Sequence, residues 1–296
     1  MKVKKVTIHD GCYPSALRDI ASPPKQLYYL GAEPAVWLSR PRVAIVGSRT
    51  ITPYGRAVTE QLARQLSERG ITIVSGLALG VDAVAHEAAI RAGGMHLAVL
   101  ANGLDEIYPA SNTALARSLL ASGGALISEY PEGTPSYKQQ FIARNRIVAG
   151  LADALLITEA SEKSGTLHTA RFALEQGRDV LVVPGNITSP NSVGCNNLIR
   201  SGATPVTSVE DVLFALGADN LAETFSVHTG DNADEQSILD LLYNGTSDGH
   251  ELLLASGLSA DIFSQTLTML ELSGKIHALG NNHWARSRAA YGKLER

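Results

Sequence analysis

The stretch "RVAIVGSRTITPYGRAVTEQLARQLSERGITIVSGLALG", residues 42–80, contains one complete repeat of the pattern on which the fold is built. Its opening "VAIVG" is apolar without alternation, the signature of a strand buried on both faces. Val58, Leu62 and Leu66 then recur at helical spacing until Gly70, a residue suited to end a helix in a left-handed conformation. "ITIVSG" is a second buried strand, followed by another glycine-bearing turn.

Working outward, the same alternation continues through "GVDAVAHEAAIRAGG", "HLAVLANG", "ALISEY", "ADALLITEA", "SGTLHTARFALEQGR", "DVLVVPG" and "CNNLIRSGA". Strands alternating with helices, and apolar on both faces, predict a mainly parallel sheet covered by helices on each side. Right-handed crossovers then give an α/β, doubly wound, Rossmann-like architecture whose binding edge lies at the carboxyl ends of the strands. Residues 1–40 are rich in proline and are expected to pack on this sheet domain, which spans 41–218. A polar, acidic stretch at 219–233 reads as a linker. Residues 234–288 carry three short helical patterns and a hairpin signal, the outline of a small winged-helix domain, and 289–296 form a basic tail.

The chain has 296 residues, 45% of them hydrophobic, and a net charge of -4. Such a molecule is no polycation, so any surface for nucleic acid must be a local patch. The two cysteines, Cys12 and Cys195, form no metal-binding or disulfide framework, and no apolar run is long enough to span a bilayer. Neither a signal-peptide core nor a cofactor motif is present, and the reading is a cytoplasmic protein without cofactor or metal.

Three strand-to-helix turns concentrate the chemistry. Gly47, Ser48 and Arg49 offer a tight turn, donors and a cation in a segment with no acidic residue between Glu33 and Glu60. The turn lacks the GxGxxG dinucleotide fingerprint, which disfavours a nicotinamide enzyme. Ser164, Gly165 and Thr166 form a second turn at which backbone amides can approach a phosphate, without the order of a nucleoside-triphosphatase loop. Asn196 and Asn197 belong to a third loop, carboxylate-free between Asp179 and Glu210. Asp82 suits a helix start, and His86 one turn later has no partners that would make a triad or metal site.

Between Glu132 and Asp153 the chain has no acid but carries Lys138, Phe141, Arg144, Asn145 and Arg146. A helix beginning near Gln140 sets Arg144 about one turn from Phe141. Two readings stand open here. Phe141 is core and the arginines pair with carboxylates, or the cations follow a phosphodiester backbone while Phe141 stacks a base.

"VAIVGSR", "SGLALGVDAVAH", "FIARNRIVAGL", "EASEKSGTLHTA" and "VPGN…SVGCNNLIRSGA" together resemble the DNA-processing protein A (DprA/Smf) family in order and spacing over residues 10–217. The resemblance implies an extended Rossmann fold and a homodimer that binds single-stranded DNA, double-stranded DNA more weakly. It implies a non-enzymatic recombination mediator that protects incoming strands and loads RecA recombinase during natural transformation. It makes Arg49, Lys138, Arg144 and Arg146 phosphate ligands, with Asn145 among them, and Phe141 the stacking residue. Gly47, Ser48, Ser164, Gly165, Thr166, Asn196 and Asn197 are expected to line the same pocket. Many members carry a helical domain ahead of the sheet; the 40 residues before it here are too few, so a member without that domain is expected. Two alternatives remain: a nucleotide-processing enzyme of a related Rossmann-like group, using Glu159 or Asp82, or a winged-helix transcription regulator. Against the latter, the presumed recognition helix "SADIFSQTLTMLELSG" has Asp261 and Glu271 but no cation.

Overall fold

A computed structural model describes residues 2–218, 230–243, 246–273, 275–280 and 282–286. The chain divides into two compact units, 1–222 and 223–296. The linker expected at 219–233 falls largely, and the basic tail at 289–296 wholly, outside the described residues.

In the first unit the predicted strands form as β3 (Arg42–Gly47), β4 (Thr72–Ser75), β5 (His96–Leu100), β6 (Ala125–Ser128), β7 (Ala154–Glu159) and β8 (Asp179–Val182). They pair in parallel, with the short β9 (Thr204–Pro205) beyond β8. From β3 the chain winds outward through β4, β5 and β6, then returns to set β7 on the other side of β3. Strand order therefore reverses between β3 and β7, the place where doubly wound sheets open a crevice. The two strands also change register there: Val46 faces Ile157, but Gly47 faces Glu159. Such an irregularity bends a strand and ends its pairing.

Side-chain alternation splits each central strand between two cores. Val43 and Ile45 face α2 (Pro53–Glu68), α3 (Val81–Arg91) and α8 (Val209–Ala215). Ala44 and Val46 face the opposite layer, where α5 (Lys138–Leu151) and α6 (Thr166–Glu175) pack with Leu17, Ile20 and Trp37. Burial on both faces explains the unbroken apolar runs of the sequence.

Residues 1–40 do more than pack on the sheet. Lys4–Thr7 (β1) and Gln26–Gly31 (β2) join it, β1 antiparallel to β2 and β2 antiparallel to β6, which makes nine strands among the described residues. Between them the proline-rich segment is pinned where the Tyr13 hydroxyl donates to Pro24 O at 2.7 Å. The remaining helices are α1 (Pro34–Leu38), α4 (Thr113–Ala121) and α7 (Val193–Arg200).

The second unit has helices α9 (Ala233–Tyr243), α10 (Gly249–Ser256) and α11 (Ala260–Leu272), then the antiparallel pair β10 (Ile276–Gly280) and β11 (His283–Arg286). Three helices and a hairpin are the winged-helix arrangement, closed over a core of Ile238, Leu239, Leu252, Phe263, Leu267, Leu270 and Ile276. No described helix is long and apolar enough to cross a membrane.

Candidate nucleic-acid interface

A cleft of about 720 Å³ opens at the carboxyl ends of β3, β4 and β7, walled by the first turns of α5 and α6. Its floor depends on close main-chain approach. Ser48 N donates to Glu159 O at 2.8 Å, and Ser48 O accepts from Val81 N at 3.1 Å, so three strand-end turns are stitched together. A Cβ on Gly47 would collide with Val81 and the Glu159 carbonyl, which is why glycine is needed at this turn.

Ten of the thirteen residues singled out from the sequence line this cleft: Gly47, Ser48, Arg49, Lys138, Phe141, Arg144, Asn145, Ser164, Gly165 and Thr166. Phe141 is half-buried, with its ring 5.3 Å from the Tyr108 ring and 5.6 Å from the Arg49 guanidinium carbon. It is therefore neither sealed in the core nor loose in solvent. Lys138 is exposed, and neither Lys138 nor Arg49 forms an ion pair among the described residues. At the start of α6 Ser164 Oγ accepts from Thr166 N at 3.2 Å and donates to Thr166 Oγ1 at 2.9 Å, and Gly165 is exposed.

Of the two arginines on α5, Arg144 lines the cleft from its base and Arg146 does not line it. Arg144 is only 4% exposed, at the base of the cleft. Its guanidinium donates to Gly76 O at 2.6 Å, to Val99 O and to Asn145 Oδ1. The cause is helical phase: Arg144 lies three, four and seven residues before Ile147, Val148 and Leu151, the face of α5 that turns inward. Burial lowers its pKa to about 10, an effect the nearby Asp82 carboxylate opposes. A Cβ at Gly76 would strike the guanidinium itself, so that glycine makes room for it. Arg146 points away from the cleft and binds both carboxylate oxygens of Glu129, at 2.7 and 2.8 Å, and Ser22 O at 2.8 Å. Its charge is paired with Glu129 just after β6, and its bond to Ser22 fastens α5 to the N-terminal segment.

The asparagines lie behind the cleft wall. Asn196 accepts from Gly185 N at 3.2 Å and donates to Gly185 O at 3.1 Å, clamping the loop after β8. Asn197 accepts from Arg200 at 3.0 Å. Sequence reading missed Tyr108, Ser136, Ser161 and His168, which also line the cleft. Tyr108 comes from an irregular stretch whose only sequence signal was the apolar strand ending at Leu100.

The two candidate acids have structural partners. Glu159 is buried and accepts from Thr52 N at 2.9 Å and Thr52 Oγ1 at 2.6 Å, bracing the start of α2. Asp82 accepts from Gly76 N at 3.0 Å and Ala78 N at 3.3 Å rather than from its own helix. Burial pushes its carboxyl pKa up, against the pull of Arg144 and these amides. His86 does not pair with Asp82. It is buried with neither ring nitrogen hydrogen-bonded, lies edge-on to His96 at 6.3 Å, and burial lowers its pKa to about 3.

Residues 4–217 match the family model described as DNA recombination-mediator protein A, and residues 227–282 match the DprA winged helix domain. Protein Smf of Escherichia coli is 45% identical over 66% of this chain, and the chain spans about half (50%) of that protein's length. The X-ray structure of DNA processing protein A from Streptococcus pneumoniae is 41% identical, with a TM-score of 0.67 over 77% of this chain and 76% of that one. A structure addressing the single-stranded DNA binding mode of DNA processing protein A from Helicobacter pylori is 34% identical. Its TM-score is 0.65, over 73% of this chain and 97% of that one.

Proposed function

The chain belongs to the DNA recombination-mediator protein A family, and on that premise we propose that its cleft grips single-stranded DNA without reading its sequence. One observation carries the reading: an accessible phenyl ring, Phe141, stands against a cation, Arg49, that has no carboxylate partner among the described residues, at the sheet's switch point. A base can stack on such a ring while Arg49 and Lys138 neutralise phosphates and the Ser164–Thr166 turn adds donors. Gly47 and Ser48 admit the backbone, and Asn145 lines the wall beside them. Arg144 serves from beneath, by fixing α5 to the ends of β4 and β5. Duplex DNA, whose bases are already stacked inward, should bind more weakly.

We infer that the protein is not an enzyme: both Glu159 oxygens accept from Thr52, and Asp82 is the one carboxylate among the described residues that line the cleft. The family reading extends the proposal to a cytoplasmic homodimer that protects incoming strands and loads RecA recombinase during natural transformation.

Salt dependence tests the site. Arg49→Ala and Lys138→Ala should each weaken binding to all sequences alike and flatten the salt slope by about 0.7. Phe141→Ala should cost about 1–3 kcal/mol with the slope nearly unchanged. Fluorescence anisotropy over a salt series reads both, and normal affinity in all three variants would move the site elsewhere.

A further inference from the structure

Beyond the cleft, the surface continues along the start of α2 and the loop after β8. Thr50 lines the cleft, and its carbonyl accepts from Ser48 Oγ and from Asn191 Nδ2, each at 3.1 Å. Tyr54 is 49% exposed, and its hydroxyl donates to Pro184 O at 2.8 Å. The loop itself is internally braced. Asn196 holds Gly185 from both sides, and Asn186 Oδ1 accepts from Thr188 N and Oγ1 at 3.0 and 2.9 Å. Ile187, at its tip, is 88% exposed. Arg56, one helical position beyond Gly55, is exposed and forms no ion pair among the described residues. The two segments that meet here, 34–59 and 180–209, contain no Asp or Glu, although the chain has 29 acids. The carboxylate beneath them, Glu159, is buried under Thr52.

We propose that this shelf is a second stretch of the single-strand path, on which Tyr54 stacks a base after the one held by Phe141. Arg56 neutralises the accompanying phosphate, and Ile187 packs against base or sugar. The proposal rests on the cleft being the single-strand site. Its physical basis is continuity with the Thr50 rim, a ring immobilised by its own hydroxyl, and two shelf segments without Asp or Glu of their own, the next carboxylate on α2, Glu60, being paired with Arg91. A ring already fixed loses little freedom on stacking, so more of the contact survives as affinity.

Length dependence separates the shelf from the cleft. Oligothymidylates of about 4 and about 16 nucleotides should respond differently in the full chain, because only the longer reaches past Thr50. Tyr54→Ala should weaken binding of the long strand about tenfold and leave the short one unchanged. Tyr54→Phe, which keeps the ring and drops the hydroxyl that fixes it, should recover most but not all of the long-strand affinity. Arg56→Ala should flatten the salt slope by about 0.7 on the long strand alone. Equal losses at both lengths, or none at either, would overturn the shelf while leaving the cleft intact. Normal affinity of Phe141→Ala at both lengths would overturn cleft and shelf together.

Discussion

Arg144, on α5, and Arg49, on the turn after β3, line the same cleft, and their environments give them opposite work. Arg49 has solvent on one side and a phenyl ring on the other, so its charge is available to a ligand. Arg144 donates to two carbonyls and Asn145, and its charge favours the ionised form of the buried Asp82 against the effect of burial. Removing that buried guanidinium leaves the Gly76 and Val99 carbonyls without their donor, at a cost of about 1–3 kcal/mol each. Arg144→Met should therefore lower stability by that order in denaturant unfolding. Its DNA affinity should fall while the salt slope stays that of the wild type, the reverse of Arg49→Ala. His86 supplies a pH signature. Its folded pKa of about 3 lies below the ordinary value of 6.5, so the unfolded chain takes up a proton that the native state refuses. Stability from this group is complete above about pH 6.5 and declines as pH falls toward 3. His86→Gln should make the thermal midpoint less sensitive to acid between pH 7 and 4; an unchanged slope would contradict this assignment.

Elements rather than single residues decide how the cleft is held open. Thr52 caps α2 by accepting from Gly55 N at 3.1 Å, while its own N–H and hydroxyl both serve Glu159 at the end of β7. Thr52→Val removes the cap and leaves a buried carboxylate under-bonded, so a loss of about 2–4 kcal/mol is expected in denaturant unfolding. Thr52→Ser should retain most of the stability, since it keeps the hydroxyl. The strands β3 to β8 were legible because burial on both faces leaves a continuous apolar run. β1 and β2 were not, because a four-residue edge strand and the six-residue strand inside it, separated by a proline-rich excursion, present no comparable signal. In α5, Phe141 and Asn145 could be read as a cleft face. The inward phase of Arg144 was equally present in the spacing of Ile147, Val148 and Leu151, but a guanidinium on an apolar face runs against the usual exposure of arginine. Nothing in the sequence near Tyr108 indicated that it meets Phe141, since that contact depends on how the chain returns after β5.

Across the whole molecule some cations are committed to carboxylates and others are not. Arg42, Arg69, Arg91 and Arg146 are paired with Asp153, Glu210, Glu60 and Glu129, whereas Arg49, Arg56 and Lys138 around the cleft are not paired among the described residues. An acidic protein thereby presents a basic working edge without becoming basic. In the second unit α11 offers exposed Ile262, Met269 and Leu272 beside Asp261 and Glu271, a poor reader of duplex DNA. Competition between single- and double-stranded DNA for the full chain should accordingly favour the single strand at every salt concentration. Asp261→Ala and Glu271→Ala should leave single-strand affinity unchanged, and preference for a particular duplex would instead make the winged helix the reader. The reversal of strand order between β3 and β7 gives the cleft its mouth in the main chain, not in the side chains that decorate it. A gap cut by the framework tolerates refurnishing: exchanging Arg49, Lys138 and Phe141 for neutral or acidic groups should leave an open slot of the same outline. The protein is thus a natural starting frame from which laboratory selection could draw receptors for flat molecules bearing no negative charge.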